Sequence, residues 1–287
     1  MEIIIGETAG FCFGVKRAIE KTIGQTNTTS TKPIYCLGEL VHNNQVIEKL
    51  NKLGINTINN LDEINEKEAK IIIRAHGVAP NIYEEAESKD FEIVDCTCPY
   101  VERIHKIVRE HSLNGEYVFV VGDKKHAEVI GTYGYCGENG SIISDKEDIE
   151  LAIQNLEKSN CCKLLIVAQT TFNKDYFKEI TDDIIKIIDS RISFKVENTI
   201  CNATEQRQNE VEKIARQVNC MIIIGGKNSS NTKKLFEISQ KYVTSYFVEN
   251  AEELDVQQVK KQEKVGIMAG ASTPQETIQE VKELLMK

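Results

Sequence analysis

"MIIIGGKNSSN" (221–231) runs from apolar residues through paired glycines into short polar side chains. Consecutive apolar, β-branched residues suit a strand covered on both faces, and the glycines end it before a helix. "IYCLGELVHNN" (34–44) and "VFVVGDKKHAE" (118–128) follow the same plan. Laid over one another, they put His42, His126 and Ser229 in one column and Asn44, Glu128 and Asn231 in a second. Similar runs, "EIIIG", "KIIIRAHG", "FEIVD", "KLLIVAQTT", "FKVENTI" and "EKVGIMAG", read as further strands, nearly all followed by helical patterns. The expected class is α/β with mainly parallel sheets, in which ligands bind beyond the carboxyl ends of the strands.

A second repeat runs through the cysteines. "GFCFGVKRAIE" (10–20), "VDCTCPYVERIHKIV" (94–108) and "NTICNATEQRQNEVEKIA" (198–215) each place one at the mouth of a helix. In the last, Val211, Ile214, Ala215 and Val218 form an apolar stripe, Asn202 is a candidate cap and Glu205 completes a capping-box pattern. His42 stands 30 residues after Cys12, His126 stands 30 after Cys96, and Ser229 stands 28 after Cys201. His76, Thr170 and Ser272 form a third column upstream of the cysteines, provided the C-terminal segment feeds into the N-terminal one. The expected architecture is three similar α/β units, about 13–95, 96–199 and 200–287, the last completed by strand 1–12. In a pseudo-threefold trefoil they would turn their cysteines toward a common centre.

Bulk properties narrow the function. The chain has 287 residues, 41% hydrophobic and 28% charged, with a net charge of −9. An acidic balance argues against nonspecific nucleic-acid binding, which needs basic surface to displace counterions. The N-terminus lacks a signal-peptide pattern and no apolar run approaches ~18 residues, so the expectation is a cytoplasmic protein without membrane spans. Nine cysteines in such a chain point to metal binding, catalysis or burial rather than a disulfide framework. No C-x-x-C pair occurs, so a metal site must gather distant cysteines.

Thiolates at helix N-termini suit an anionic metal cluster, because free amides and the helix dipole stabilise negative charge. Soft thiolates select zinc or iron–sulfur, and a cubane with three protein ligands leaves one iron open. His42, His76, His126, Thr170, Ser229, Asn231 and Ser272 are neutral donors at strand ends, suited to phosphate oxygens. Glu128, the only carboxylate in the columns, is the candidate proton carrier. Ser229 and Ser272 also read as helix caps. Cys36, Cys161, Cys162 and Cys220 read as buried thiols, Cys136 as a loop residue, and Cys98 as a remote fourth-ligand candidate. His105 and His111 read as solvated.

"GFCFGV", "HN" after "GELV", "RAHG", "TCP", "HAEVIG", "QTT", "NTICNATEQRQ", "NSSNT" and "AGASTP" together resemble the 4-hydroxy-3-methylbut-2-enyl diphosphate reductase family along the whole chain. Ala127 departs from the proline expected after the histidine. The resemblance implies one [4Fe–4S] cluster per subunit, held by Cys12, Cys96 and Cys201, with one iron open to substrate. It implies a diphosphate bound by His42, His76, His126, Ser229, Ser230, Asn231 and Ser272. Glu128 would pass protons through Thr170 to an allylic hydroxyl that leaves as water, giving isopentenyl and dimethylallyl diphosphate. The implied electron donor is ferredoxin or flavodoxin. Two other classes share parts of the pattern. Quinolinate synthase has a comparable threefold plan, but a carboxylate substrate calls for arginines that the columns lack. A non-catalytic iron–sulfur carrier would not need Glu128, Thr170 or a diphosphate cradle.

Overall fold

The computed structural model describes residues 1–27 and 31–287. The elements alternate as the strand-and-helix pattern predicts. In order they are β1 (Glu2–Ile5), α1 (Phe13–Gly24), β2 (Ile34–Leu37), α2 (Asn44–Lys52), β3 (Ile55–Ile58), β4 (Lys70–Ile73), α3 (Pro80–Ser88), β5 (Glu92–Asp95) and α4 (Pro99–Leu113). They continue with β6 (Tyr117–Val121), α5 (Ala127–Tyr133), β7 (Gly140–Ile143), α6 (Ile149–Ser159), β8 (Lys163–Ala168), α7 (Lys174–Ile187) and β9 (Ser193–Glu197). The last are α8 (Asn202–Ala215), β10 (Cys220–Ile224), α9 (Ser230–Gln240), β11 (Thr244–Val248), α10 (Val256–Val259), β12 (Lys264–Ala269) and α11 (Gln275–Met286).

The strands form three four-stranded sheets, ordered β3-β2-β4-β5, β7-β6-β8-β9 and β1-β12-β10-β11. Every pairing is parallel. Written from its first strand, each sheet has the same order, because β10, β11, β12 and β1 correspond to β2, β3, β4 and β5. The N-terminal strand is therefore the fourth strand of the last sheet, with Glu2 to Ile5 against Lys264 to Ile267. The chain packs as two compact units. One comprises Met1–Lys16, Val41–Lys49 and Asn202–Lys287, and holds the last sheet; the other comprises Arg17–Leu40 and Leu50–Cys201, and holds the first two.

Central strands explain the stability of each layer. Ile71, Ile72 and Ile73 of β4 and Ile222, Ile223 and Ile224 of β10 are wholly buried. Successive residues of each run face opposite sides of its sheet, so helices must cover both faces. Each such side chain contributes about 1.5–3 kcal/mol relative to exposure. The nine strands expected from sequence are present. The three that were not read, β3 (INTI), β7 (GSII) and β11 (TSYFV), are the same edge strand of each sheet. An edge strand is paired on one side only and needs no continuous apolar run; in β3 the two central residues, Asn56 and Thr57, are exposed.

Several local expectations are corrected. His105 is only 4% exposed, because it falls on the buried stripe of α4 with Val101, Ile104 and Val108 and stacks on Tyr135. His111 is half-buried, with its Nδ1 against Glu116. Cys162 is exposed and Cys161 half-buried, since the turn at Asn160, a left-handed residue, ends just before β8 begins. Cys136 lies buried in a short 3-10 turn, and burial pushes its thiol up to about 12. Asn202 is the first residue of α8 rather than its cap, and α11 is led by Pro274, not Ser272.

Candidate active site

The repeat fixes where functional side chains emerge. His42, His126 and Ser229 follow the first strand of each sheet; His76, Thr170 and Ser272 follow the third; Cys96, Cys201 and Cys12 follow the fourth. All stand beyond strand carboxyl ends, the binding side of a parallel α/β sheet.

In the unit holding the first two sheets, His126 caps α5, and its Nδ1 accepts the Glu128 amide at 3.1 Å. That bond leaves Nε2 as the protonated nitrogen of the neutral ring, a donor for a ligand oxygen. The His76 ring meets it edge to face, with centroids 5.2 Å apart. His76 is carried on a turn whose Gly77 has φ +70, and a Cβ there would lie 2.5 Å from the His105 ring. The buried His105 is thus the floor beneath the His76 turn.

Glu128 is 2% exposed. Thr170 grips both carboxyl oxygens, its amide donating to Oε1 at 2.6 Å and its hydroxyl bonding Oε2 at 2.7 Å. Burial raises the Glu128 pKa to about 7, and the two Thr170 bonds hold it from rising further. The Thr170 carbonyl in turn accepts the Cys201 amide at 3.1 Å. Thr199 fixes the same segment to β8, donating to the Ala168 carbonyl and accepting from its amide at 2.8 Å. Glu128, Thr170 and the Cys201 backbone are therefore one hydrogen-bonded chain.

Cys96 is fully buried, and its amide donates to Ile73 at 2.9 Å. Burial pushes its thiol above the ordinary value; the Thr22 hydroxyl, 3.5 Å from the sulfur, pulls it back, as do Lys21 and Arg17. Sequence reasoning missed Thr22, which lies 74 residues from Cys96 and carries no local signal. Lys21 and Arg17 also hold the carbonyls of Asp95 and Thr97, on either side of Cys96.

In the other unit, Cys12 stands at the head of α1, half-buried, with the Val15 amide 3.5 Å from its sulfur and its own amide bonded to Ala271 at 3.1 Å. Ser229 caps α9 by accepting the Thr232 amide. Asn231 is 4% exposed, yet its Nδ2 finds no hydrogen-bond partner among the described residues. A buried amide nitrogen without a partner costs about 1–3 kcal/mol, which a ligand oxygen would remove. Ser272 donates to the His42 carbonyl at 3.2 Å. Asn44, from the second column, is tied instead to Glu249 at 3.1 Å.

Gly226 completes this half. A Cβ there would lie 2.4 Å from the His42 carbonyl oxygen, a backbone atom that cannot swing aside. Gly226→Ala is expected to cost about 1–3 kcal/mol of stability. By displacing His42 it should also raise the substrate KM, which thermal melts and steady-state assays would register together; an unchanged KM would show that His42 does not contact substrate.

The family model described as "LytB protein" matches residues 3–286. Over 281 residues the chain is 43% identical to the 4-hydroxy-3-methylbut-2-enyl diphosphate reductase of Clostridioides difficile (strain 630), covering 98% of each protein. It is 42% identical to the enzyme of that name from Aquifex aeolicus (strain VF5) over 286 residues, covering 98% of this chain and 95% of the relative. A solved structure of (E)-4-hydroxy-3-methyl-but-2-enyl diphosphate reductase is 41% identical, with a TM-score of 0.71 and 100% and 99% coverage of the two chains. The structure of the Plasmodium falciparum E-1-hydroxy-2-methyl-but-2-enyl-4-diphosphate reductase is 32% identical, with a TM-score of 0.89 and 100% and 88% coverage. The chain belongs to the LytB protein family, that of the 4-hydroxy-3-methylbut-2-enyl diphosphate reductases.

Proposed function

We propose that this chain is a 4-hydroxy-3-methylbut-2-enyl diphosphate reductase: with two electrons and two protons it removes the allylic hydroxyl as water and yields isopentenyl and dimethylallyl diphosphate. The observation that carries this reading is the buried Glu128 carboxyl, held in a Thr170 clamp and raised to about 7. A carboxyl so placed is still about half protonated at neutral pH and can deliver its proton to a departing hydroxyl. Thr170 bonds the acid through its own hydroxyl, which makes it the group through which the proton passes. His126, whose Nδ1 accepts the Glu128 amide, would bind the diphosphate through its other ring nitrogen, together with His42, His76, Ser229, Ser230, Asn231 and Ser272. The partnerless Asn231 amide supports a ligand oxygen at that position.

Cys12, Cys96 and Cys201 fit an iron–sulfur group: none of the three is in a disulfide, and donors stand near two of the sulfurs, the Val15 amide at Cys12 and the Thr22 hydroxyl at Cys96. They would hold one [4Fe–4S] cluster per subunit with one iron left open, a group that supplies electrons one at a time. Ferredoxin or flavodoxin is the proposed donor and the cytoplasm the proposed compartment. No helix among the described residues is long and apolar enough to cross a membrane. The three sheets with their helices, about 13–95, 96–199 and 200–287 with 1–12, are the proposed domains.

The test is anaerobic. Reconstituted protein, a reduced one-electron dye and the allylic diphosphate should give substrate-dependent dye oxidation and both five-carbon diphosphates. Cluster-loaded protein with no turnover would sink the assignment. The pH profile carries its own sign. The working form of Glu128 is protonated, so turnover should fall as pH rises through about 7. Stability should fall at lower pH, between the ordinary carboxylate value and about 7, because over that span the native state binds the extra proton. The ionised carboxylate costs the native state up to about 3 kcal/mol above that range. Urea titrations at a series of pH values would show this slope, and its absence would mean Glu128 is not buried neutral.

A further inference from the structure

Within the unit that carries Cys12, two charged side chains on one face of α8 grasp the loop between β1 and α1. Arg207 and Glu210 are three residues apart and so lie side by side on the helix. The Glu210 carboxylate accepts the Glu7 amide at 2.7 Å, the Thr8 amide at 2.9 Å and the Thr8 hydroxyl. Arg207, 4% exposed, donates from Nη2 to the Gly10 carbonyl at 2.8 Å and from Nη1 to the Ala203 carbonyl at 3.0 Å. Gly10 has φ +102, a conformation that glycine adopts freely. At Gly6 a Cβ would come within 3.1 Å of Glu210 Oε2 and 2.3 Å of Met268 Sδ, so the loop lies directly on the carboxylate.

Burying a guanidinium is costly unless its donors are satisfied, and here two of them hold backbone carbonyls. One carbonyl lies two residues before Cys12, the other two residues after Cys201. We propose that Arg207 and Glu210 are positioning residues for Cys12, setting the backbone that aims its thiol and tying it to the first turn of α8. The inference rests on the proposed function in one respect, that Cys12 is a cluster ligand; the loop geometry stands without it.

The measurement uses cluster-free protein under nitrogen. Iodoacetamide labelling of Cys12 is followed by peptide mass spectrometry, with the buried Cys96 as internal reference. Loss of the Arg207 bonds should open the loop locally and speed Cys12 labelling about tenfold in Arg207→Gln, with Cys96 unchanged. Arg207→Lys should recover part of the protection, since an ammonium keeps the charge but not the fork that spans two carbonyls. Glu210→Gln, which keeps the shape but loses the charge and one of the two accepting oxygens, should raise labelling about threefold, and it carries the test if Arg207→Gln does not fold. Unchanged Cys12 labelling, or a rise shared equally by Cys96, would overturn the proposal, the latter marking general loosening. Wild-type protein that takes up no iron and sulfide would sink the reductase reading while leaving the labelling pattern to decide this one.

Discussion

Glu128→Gln is expected to lower turnover by about 10²- to 10⁴-fold, the usual worth of a positioned acid, with the cluster's visible absorbance retained. Glutamine fills the same space and can still accept the Thr170 amide through its carbonyl oxygen. What it cannot do is hold a transferable proton at the position of Oε2. The variant should also lose the fall in turnover through about pH 7, because the group that titrates there has gone. Stability is a second readout: the decline with rising pH should flatten, since no carboxylate is left to ionise in the interior. Turnover within a factor of two of wild type would remove Glu128 from the proton path and leave Thr170 as an ordinary loop anchor.

Cys201→Ser should abolish turnover by preventing stable cluster assembly, because a serine oxygen is a poor substitute for a soft thiolate. The fold should survive. The Cys201 amide, not its sulfur, bonds Thr170, and Thr199 separately fixes the segment to β8. Thermal melts of the cluster-free variant should therefore match cluster-free wild type, while iron and sulfide analysis after anaerobic reconstitution falls far below one cluster per chain. Full cluster content with normal absorbance would end the three-cysteine assignment and direct attention to Cys98, half-buried at the start of α4.

The repeat was legible because its marks are local. A strand, a terminal glycine and a short polar residue leave a signature in consecutive positions, as do cysteines just before helices. His42, His126, Ser229, Thr170 and Ser272 could thus be placed at strand ends before any coordinates. The edge strands β3, β7 and β11 escaped notice because small or polar residues, Asn56 and Thr57, Gly140 and Ser141, and Thr244 and Ser245, break the apolar run that marks a central strand. His105 was misread for another reason. Its neighbours in sequence are charged, yet its helical phase puts it with Val101, Ile104 and Val108. Thr22, Arg207 and Glu210 act on residues far away in the chain, through contacts that only the tertiary fold creates.

The place of β1 has a consequence for synthesis on the ribosome. Its partner β12 is translated about 260 residues later. At about 5–20 residues per second, the apolar run of β1 waits some tens of seconds before the strand it pairs with has been made. The last sheet can therefore close only once β12 has been made. The segment carrying Cys12 can settle only after β12 has been made, and any loading of iron and sulfide that uses it must wait until then.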